Sequence, residues 1–326
     1  MGFKSLGQPE NSSDILQQSF KLVFVLFLTA FTKTLFAASC CGGGASLPQL
    51  ITGDYRAQLA LVGANSAVTH YANEDSLISE RDVTNQEVSE SLTLSATYLL
   101  SPYWQMGLRL PYKVNTHKTL AANENSSGIG DFHLQTAYEF LPEYSFSLWR
   151  PKGYVFIDET LPSSSSSYDA EKPLYTDSFG SGFYTTSVGV SFVKAIFNYD
   201  FLFMTEYHKA FNREFNKPGE RLSVEPGDGH TMLFGAGYSP KGGDLRLGGS
   251  LLYSKQNASK VTSSLSPLTS SGSQPRHYWE TGLSVSYLFK NYSLTASYLD
   301  QSFLANASNS LLTKSLSISV VSFLEL

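Results

Sequence analysis

The chain has 326 residues and a formal net charge of −5 at pH 7, with 16% of its residues charged, 13% aromatic and 2 cysteines. That composition excludes a disordered chain, a basic nucleic-acid binder and a disulfide scaffold. A mean hydropathy of −0.13 also excludes a bundle of membrane helices, each of which needs about 20 mostly apolar residues.

The first element is an apolar run, LVFVLFLTAF at 22–31, placed behind Lys21 and followed by small residues up to Ala37. A run this short with such flanks reads as a secretory signal peptide covering residues 1–37. Its removal takes away Lys4, Lys21 and Lys33 but only Glu10 and Asp14, so the exported product is slightly more acidic. Residues 38–53 follow as a flexible segment, because Gly42, Gly43 and Gly44 make ordering costly. Cys40 and Cys41 admit three readings: a lipidated N-terminus, a soft-thiolate copper or zinc site, or a plain tether. The tether is favoured, since Ala37-Ala38-Ser39 lacks the leucine usual before a lipidated cysteine.

From about Tyr55 the apolar period becomes two. In Ser91–Tyr98, Leu92, Leu94, Ala96 and Tyr98 share one face and hydroxyls fill the other. Segments 232–238, 283–289, 292–298 and 315–320 repeat the pattern, and no helix period interrupts them. Short turns at 101–103, 141–143, 196–200, 240–243 and 290–291 alternate with polar loops at 72–88, 116–127, 161–181, 212–229, 255–276 and 302–313. The 212–229 loop and the Ser163–Ser167 run are expected to stay solvated. These connections join twelve strands over residues 54–326.

A β-sandwich gives no reason for alternating connection lengths, and a dry core does not suit a face of Ser, Thr and Gly. A transmembrane barrel explains both, through short periplasmic turns, long extracellular loops, apolar-out and polar-in strands, and an even strand number. The expected fold is therefore all-β: an up-and-down antiparallel barrel in the bacterial outer membrane, with both termini periplasmic. Tyr103, Trp104, Tyr112, Tyr138, Tyr199, Tyr238, Tyr278, Trp279, Phe289 and Tyr292 fall near strand ends, where interfacial girdles form.

The segment GLRLPY at 107–112, with GIGDFHL at 128–134, resembles outer-membrane proteins of the MetA-pathway phenol-degradation family, distant relatives of the long-chain fatty-acid transporters. The resemblance is best over about residues 90–160. It implies an outer-membrane transporter whose partners are membrane lipid, a small-molecule solute and the barrel-assembly machinery. The chain departs from the family in its CCGGG segment and in ending Phe323-Leu324-Glu325-Leu326, where Phe323 must stand in for a terminal aromatic.

Gly128 and Gly130 permit a turn and close approach, and Asp131 can cap nearby amides. No helix follows to make this a phosphate site. Strand alternation places Arg56, Arg109, His133, Glu139, Glu206, His208, Arg246 and Glu280 on the lumen face, because a charge facing lipid costs up to about 2–4 kcal/mol at the midplane. Both signs occur, which favours ion pairs over a single-sign selectivity ring. His70, His117, His230 and His277 lie near the loop ends as scattered rim residues without metal-ligand spacing.

No Gly-x-Ser-x-Gly elbow marks a nucleophile, so the chain reads as a non-enzyme with no cofactor. Gly235, Gly237, Gly248 and Ser250 leave room in the lumen, while Leu233 and Leu252 add apolar surface. A narrow path of this kind suits small hydrophobic or mixed-polarity solutes. The alternatives are a structural, adhesive or anchoring barrel and, behind them, an outer-membrane hydrolase.

Overall fold

The computed structural model describes residues 49–53, 55–143, 147–217, 219–240 and 244–325, except for the side chains of 267–270. Twelve strands form the wall: β1 (Ala57–Ala72), β2 (Gln86–Leu99), β3 (Trp104–Lys118), β4 (Phe132–Leu141), β5 (Lys152–Leu161) and β6 (Thr185–Ile196). They continue as β7 (Tyr199–Ala210), β8 (Gly229–Tyr238), β9 (Leu245–Gln256), β10 (Arg276–Phe289), β11 (Tyr292–Asp300) and β12 (Ser310–Leu324).

Each wall strand pairs antiparallel with its neighbours in sequence, and β1 pairs with β12 from Ala57↔Leu324 to Ala72↔Ser310. The meander is therefore closed. Closure gives every wall strand two hydrogen-bonded neighbours, the condition for spanning hydrocarbon. Five connections lie at one end of the barrel and six at the other, alternating along the chain; the one expected as a short turn at 141–143 spans 142–151 and is longer than the 301–309 connection at the opposite end.

The two faces divide as the period-two pattern requires. Leu94, Leu108, Leu110, Ile157, Phe201, Phe234, Leu247, Leu283, Val285, Leu294, Leu316 and Ile318 are exposed on the outside, while Thr93, Ser95, Thr97, Ser191, Thr295, Ser317 and Ser319 are buried inside. Tyr103, Trp104 and Tyr138 cluster at the turn end, as do Tyr199 and Tyr238 with ring centroids 5.1 Å apart. Tyr278 is a correction to the expected girdle. It turns inward and packs against Ala72, Ala307 and Leu312.

Two long loops are more structured than their composition suggests. Arg213–Lys217, Glu220–Glu225, Lys260–Ser263 and Ser266–Ser271 form a separate four-stranded sheet from the 211–228 and 257–275 connections. Phe215 and Val224 are buried in it, packed with Phe183 and Tyr168 of the 162–184 connection. Ser166 is fully buried as well, so neither the 212–229 loop nor the Ser163–Ser167 run is simply solvated. Aromatic burial of this kind offsets the entropy of ordering a loop.

Residues 1–37, expected as a signal peptide, and both cysteines lie outside the described residues, as does most of 38–53. The last residues of that segment, 49–53, lie within the lumen at the turn end. Leu50 packs with Ala137, Tyr154, Phe156, Met204, Leu233 and Leu252, and Ile51 with Tyr55 and Phe323. The Tyr55 and Phe323 rings stack at 4.8 Å, which joins the chain's entry into β1 to its exit from β12.

Candidate functional site

Inside the wall, above residues 49–53, lies a cavity of about 420 Å³. Inward positions of β3, β4, β5 and β7 supply its charged groups: Arg109 and Lys113, His133, Asp158, and Glu206 with His208. Hydroxyls of Ser91, Thr93, Thr160, Thr185 and Ser187 fill the gaps between them, and Pro111 and Phe156 add apolar surface. The strand period explains the convergence. Arg109, Pro111 and Lys113 share one face of β3, and Arg109 stands in register with His133 of β4.

Arg109 Nη2 lies 3.1 Å from His133 Nδ1, and that nitrogen is also 3.2 Å from Asp158 Oδ1 and 3.1 Å from Thr160 Oγ1. The Ser187 hydroxyl hydrogen-bonds to Glu206, and Arg109 lies in the field of both Glu206 and Asp158. His208 Nδ1 is 3.9 Å from Glu206 Oε1. Four of the eight lumen positions read from the sequence, Arg109, His133, Glu206 and His208, thus line one cavity. Asp158 and Lys113 complete it and were not among them.

The other four lie elsewhere. Arg246 forms a buried two-pronged pair with Asp200, Nε to Oδ2 at 2.7 Å and Nη2 to Oδ1 at 2.6 Å. Gly237 makes room for it, since a Cβ there would come within 2.4 Å of the guanidinium. Glu139 lies in the field of Lys152, whose Nζ donates to Thr52 O at 2.9 Å. Glu280 Oε2 accepts Gln301 Nε2 at 2.9 Å. Arg56 is exposed at the turn-end rim.

Chain segments are fastened inside the wall toward both ends of the lumen. At the turn end, Gln49 N donates to Gln135 Oε1 at 3.1 Å and Ile51 N to Gln105 Oε1 at 2.7 Å, which fixes the segment around buried Leu50. At the loop end, the 162–184 connection lies against the inner face of β3 and the strand Asn123–Ile129. Asn115 Nδ2 donates to Thr176 O at 3.1 Å and Ser178 O at 2.9 Å, and Lys172 Nζ donates to Asn125 O at 2.7 Å.

Asp131 closes this contact. Its Oδ1 accepts Ser164 N at 3.3 Å and Ser164 Oγ at 2.7 Å, while Oδ2 accepts Ser181 N at 2.7 Å and Ser181 Oγ at 3.0 Å. Gly128 leaves space for the Phe179 ring, and Gly130 sits where a Cβ would meet Pro111 at 2.8 Å. The GIGD motif therefore fastens a loop.

The rim histidines each have a partner of their own. His70 meets Thr69, His117 meets Asn85 and Leu174 O, and His230 meets Thr205. His277 Nδ1 lies 2.8 Å from Ser308 Oγ and its Nε2 3.3 Å from Asn306 Oδ1. Among the described residues no three His, Cys, Asp or Glu side chains group as metal ligands.

No family model and no curated protein matches the chain. Solved structures do. The crystal structure of an outer-membrane channel from Pseudomonas putida F1 superposes with a TM-score of 0.63 at 12% identity, covering 85% of this chain and 100% of that one. The NanC porin gives 0.45 at 12% identity, covering 82% and 99%, and a TodX mutant monoaromatic hydrocarbon channel gives 0.42 at 9%, covering 83% and 90%. At these identities the likeness to the Pseudomonas channel is one of fold.

Proposed function

We propose that the chain is an outer-membrane barrel that passes small solutes of mixed polarity. The observation that carries this reading is the cavity itself: a closed wall with an apolar outer face encloses about 420 Å³ lined by charges, hydroxyls, Pro111 and Phe156. A barrel serving only as an anchor needs no such chamber, and twelve strands lie between the side-chain-filled and the water-filled sizes. The fold shared with the Pseudomonas channel supports the same reading.

In this reading residues 1–37 are removed on export, the long loops face outward, and both termini are periplasmic. Assembly then falls to the barrel-assembly machinery, with Phe323 near the end of the last strand. Liposome swelling with purified protein tests passage: swelling in small neutral solutes is expected, and tight liposomes at all solute sizes would refute it.

One observation favours a second reading. Ser308, His277 and Asn306 stand in the order of nucleophile, base and orienting group at the loop-end rim. Ser308 is only 9% exposed, however, and the next N–H, of Asn309, is committed to Asn73 O at 3.1 Å. The backbone donor next to the hydroxyl is thus taken, which counts against an oxyanion hole there. The group is better read as a pin for the 301–309 loop. Ester hydrolysis abolished by Ser308→Ala would reverse that preference.

A further inference from the structure

The charges of the chamber do not cancel locally. On one side, Arg109 serves two carboxylates at once, Asp158 and Glu206. Among the described residues, that side sets two carboxylates against one guanidinium. Four residues further along the same face of β3, Lys113 also lines the cavity. Among the described residues its ammonium has no hydrogen bond and no ion pair within 4 Å. The carboxylate acting on it, Asp131, already accepts four hydrogen bonds from Ser164 and Ser181. Pro111 lies between Arg109 and Lys113 on the inner face, and Phe156 is next to Asp158 on that of β5.

We infer that the chamber binds a small organic zwitterion, its carboxylate on Lys113, its ammonium at Asp158 and Glu206, and a short apolar spacer against Pro111 and Phe156. A partly enclosed charge without a partner is costly, and a ligand that supplies the missing partner recovers that cost. A simple anion would satisfy Lys113 but leave the carboxylates in excess. A simple cation would do the reverse. A molecule carrying both charges satisfies the two ends together, and the volume lies within the usual range for small-molecule sites.

This inference deepens the proposed passage function and rests on it for its physiological meaning, but its test is independent. Calorimetric titration of the full barrel in detergent compares 4-aminobutyrate with butyrate and butylammonium, which share its chain and carry one charge each. The zwitterion should bind at least tenfold more tightly than either. Lys113→Gln should reduce its affinity to that of butylammonium, Glu206→Gln should weaken it, and Lys113→Arg should preserve most of it.

Heat-modifiable migration on gels checks that each variant still forms a barrel. Equal binding of butyrate or of butylammonium would overturn the zwitterion assignment, as would binding insensitive to Lys113→Gln or no binding at all. Liposome swelling read in parallel separates the two ideas. Swelling without zwitterion binding refutes the site alone, and binding without swelling refutes passage alone.

Discussion

The ring of Phe179 occupies the space that a side chain on Gly128 would need: a Cβ there would lie 2.5 Å from the ring. The contact presses the 162–184 connection onto the inner wall, where Asp131 holds it from the other side through Ser164 and Ser181. Gly128→Ala should displace the ring and free the loop while leaving the wall intact. The expected result is faster cleavage of the loop by added protease, with unchanged heat-modifiable migration. Asp131→Asn should act in the same direction, since charge-assisted bonds of about 1.5–3 kcal/mol each become ordinary ones.

Arg246 and Asp200 illustrate how a buried pair behaves when cut. Removing one partner leaves a buried charge and should cost about 3–5 kcal/mol, whereas replacing both with apolar groups of similar size is close to neutral. Arg246→Leu should therefore lower the urea midpoint of unfolding sharply, and adding Asp200→Leu should recover much of the loss. A double variant less stable than either single one would show that the pair adds net stability beyond its own desolvation.

Leu50 is the apolar contact that seats residues 49–53 among Tyr154, Phe156, Met204 and Leu233. Leu50→Ala forfeits roughly 2–5 kcal/mol of packing, more than a short segment held by a few hydrogen bonds can spare. Single-channel recordings should show larger and noisier conductance for this variant. Conductance equal to wild type would mean that the segment does not limit the path.

The Tyr207 hydroxyl donates to Asp228 Oδ2 at 2.5 Å and Asn257 Nδ2 to Oδ1 at 2.7 Å, and these bonds, Tyr207 first, hold the Asp228 carboxyl below its ordinary value. A carboxyl lowered on folding stabilises above its ordinary value and loses that effect as pH falls through the lowered one. Residues 211–228 should thus be released only in acid. Tyr207→Phe should move the release to higher pH, read as the pH at which pepsin begins to cut the loop. An unmoved onset would assign the anchor to Asn257 alone.

The wall was legible because connection length and side-chain period are both local signals. Short turns at 101–103 and 290–291, and the alternation of Ser91–Tyr98, need no knowledge of partners. Register carried Arg109, His133, Glu206 and His208 to one face, and they meet in one cavity. Asp158 was missed for a physical reason. Its strand turns Tyr154 and Phe156 inward, to receive Leu50, and Val155, Ile157 and Glu159 outward, so neither face of β5 is distinctly polar. Asp200 pairs with Arg246 across 46 residues of sequence, which no local pattern reveals. The loop sheet was hidden because its strands are short and mostly polar, with Phe215 and Val224 as their buried anchors.

The two covers of the chamber balance the same forces differently. The turn end buries Leu50 and Ile51 and adds hydrogen bonds to Gln135 and Gln105, whereas the loop end seats the Phe179 ring but leans on the many hydrogen bonds accepted by Asp131 and donated by Asn115 and Lys172. Apolar contact weakens on cooling, while hydrogen-bonded closure is enthalpic and weakens on warming. Cold and heat therefore loosen opposite ends of one barrel, and the tightest seal falls at an intermediate temperature.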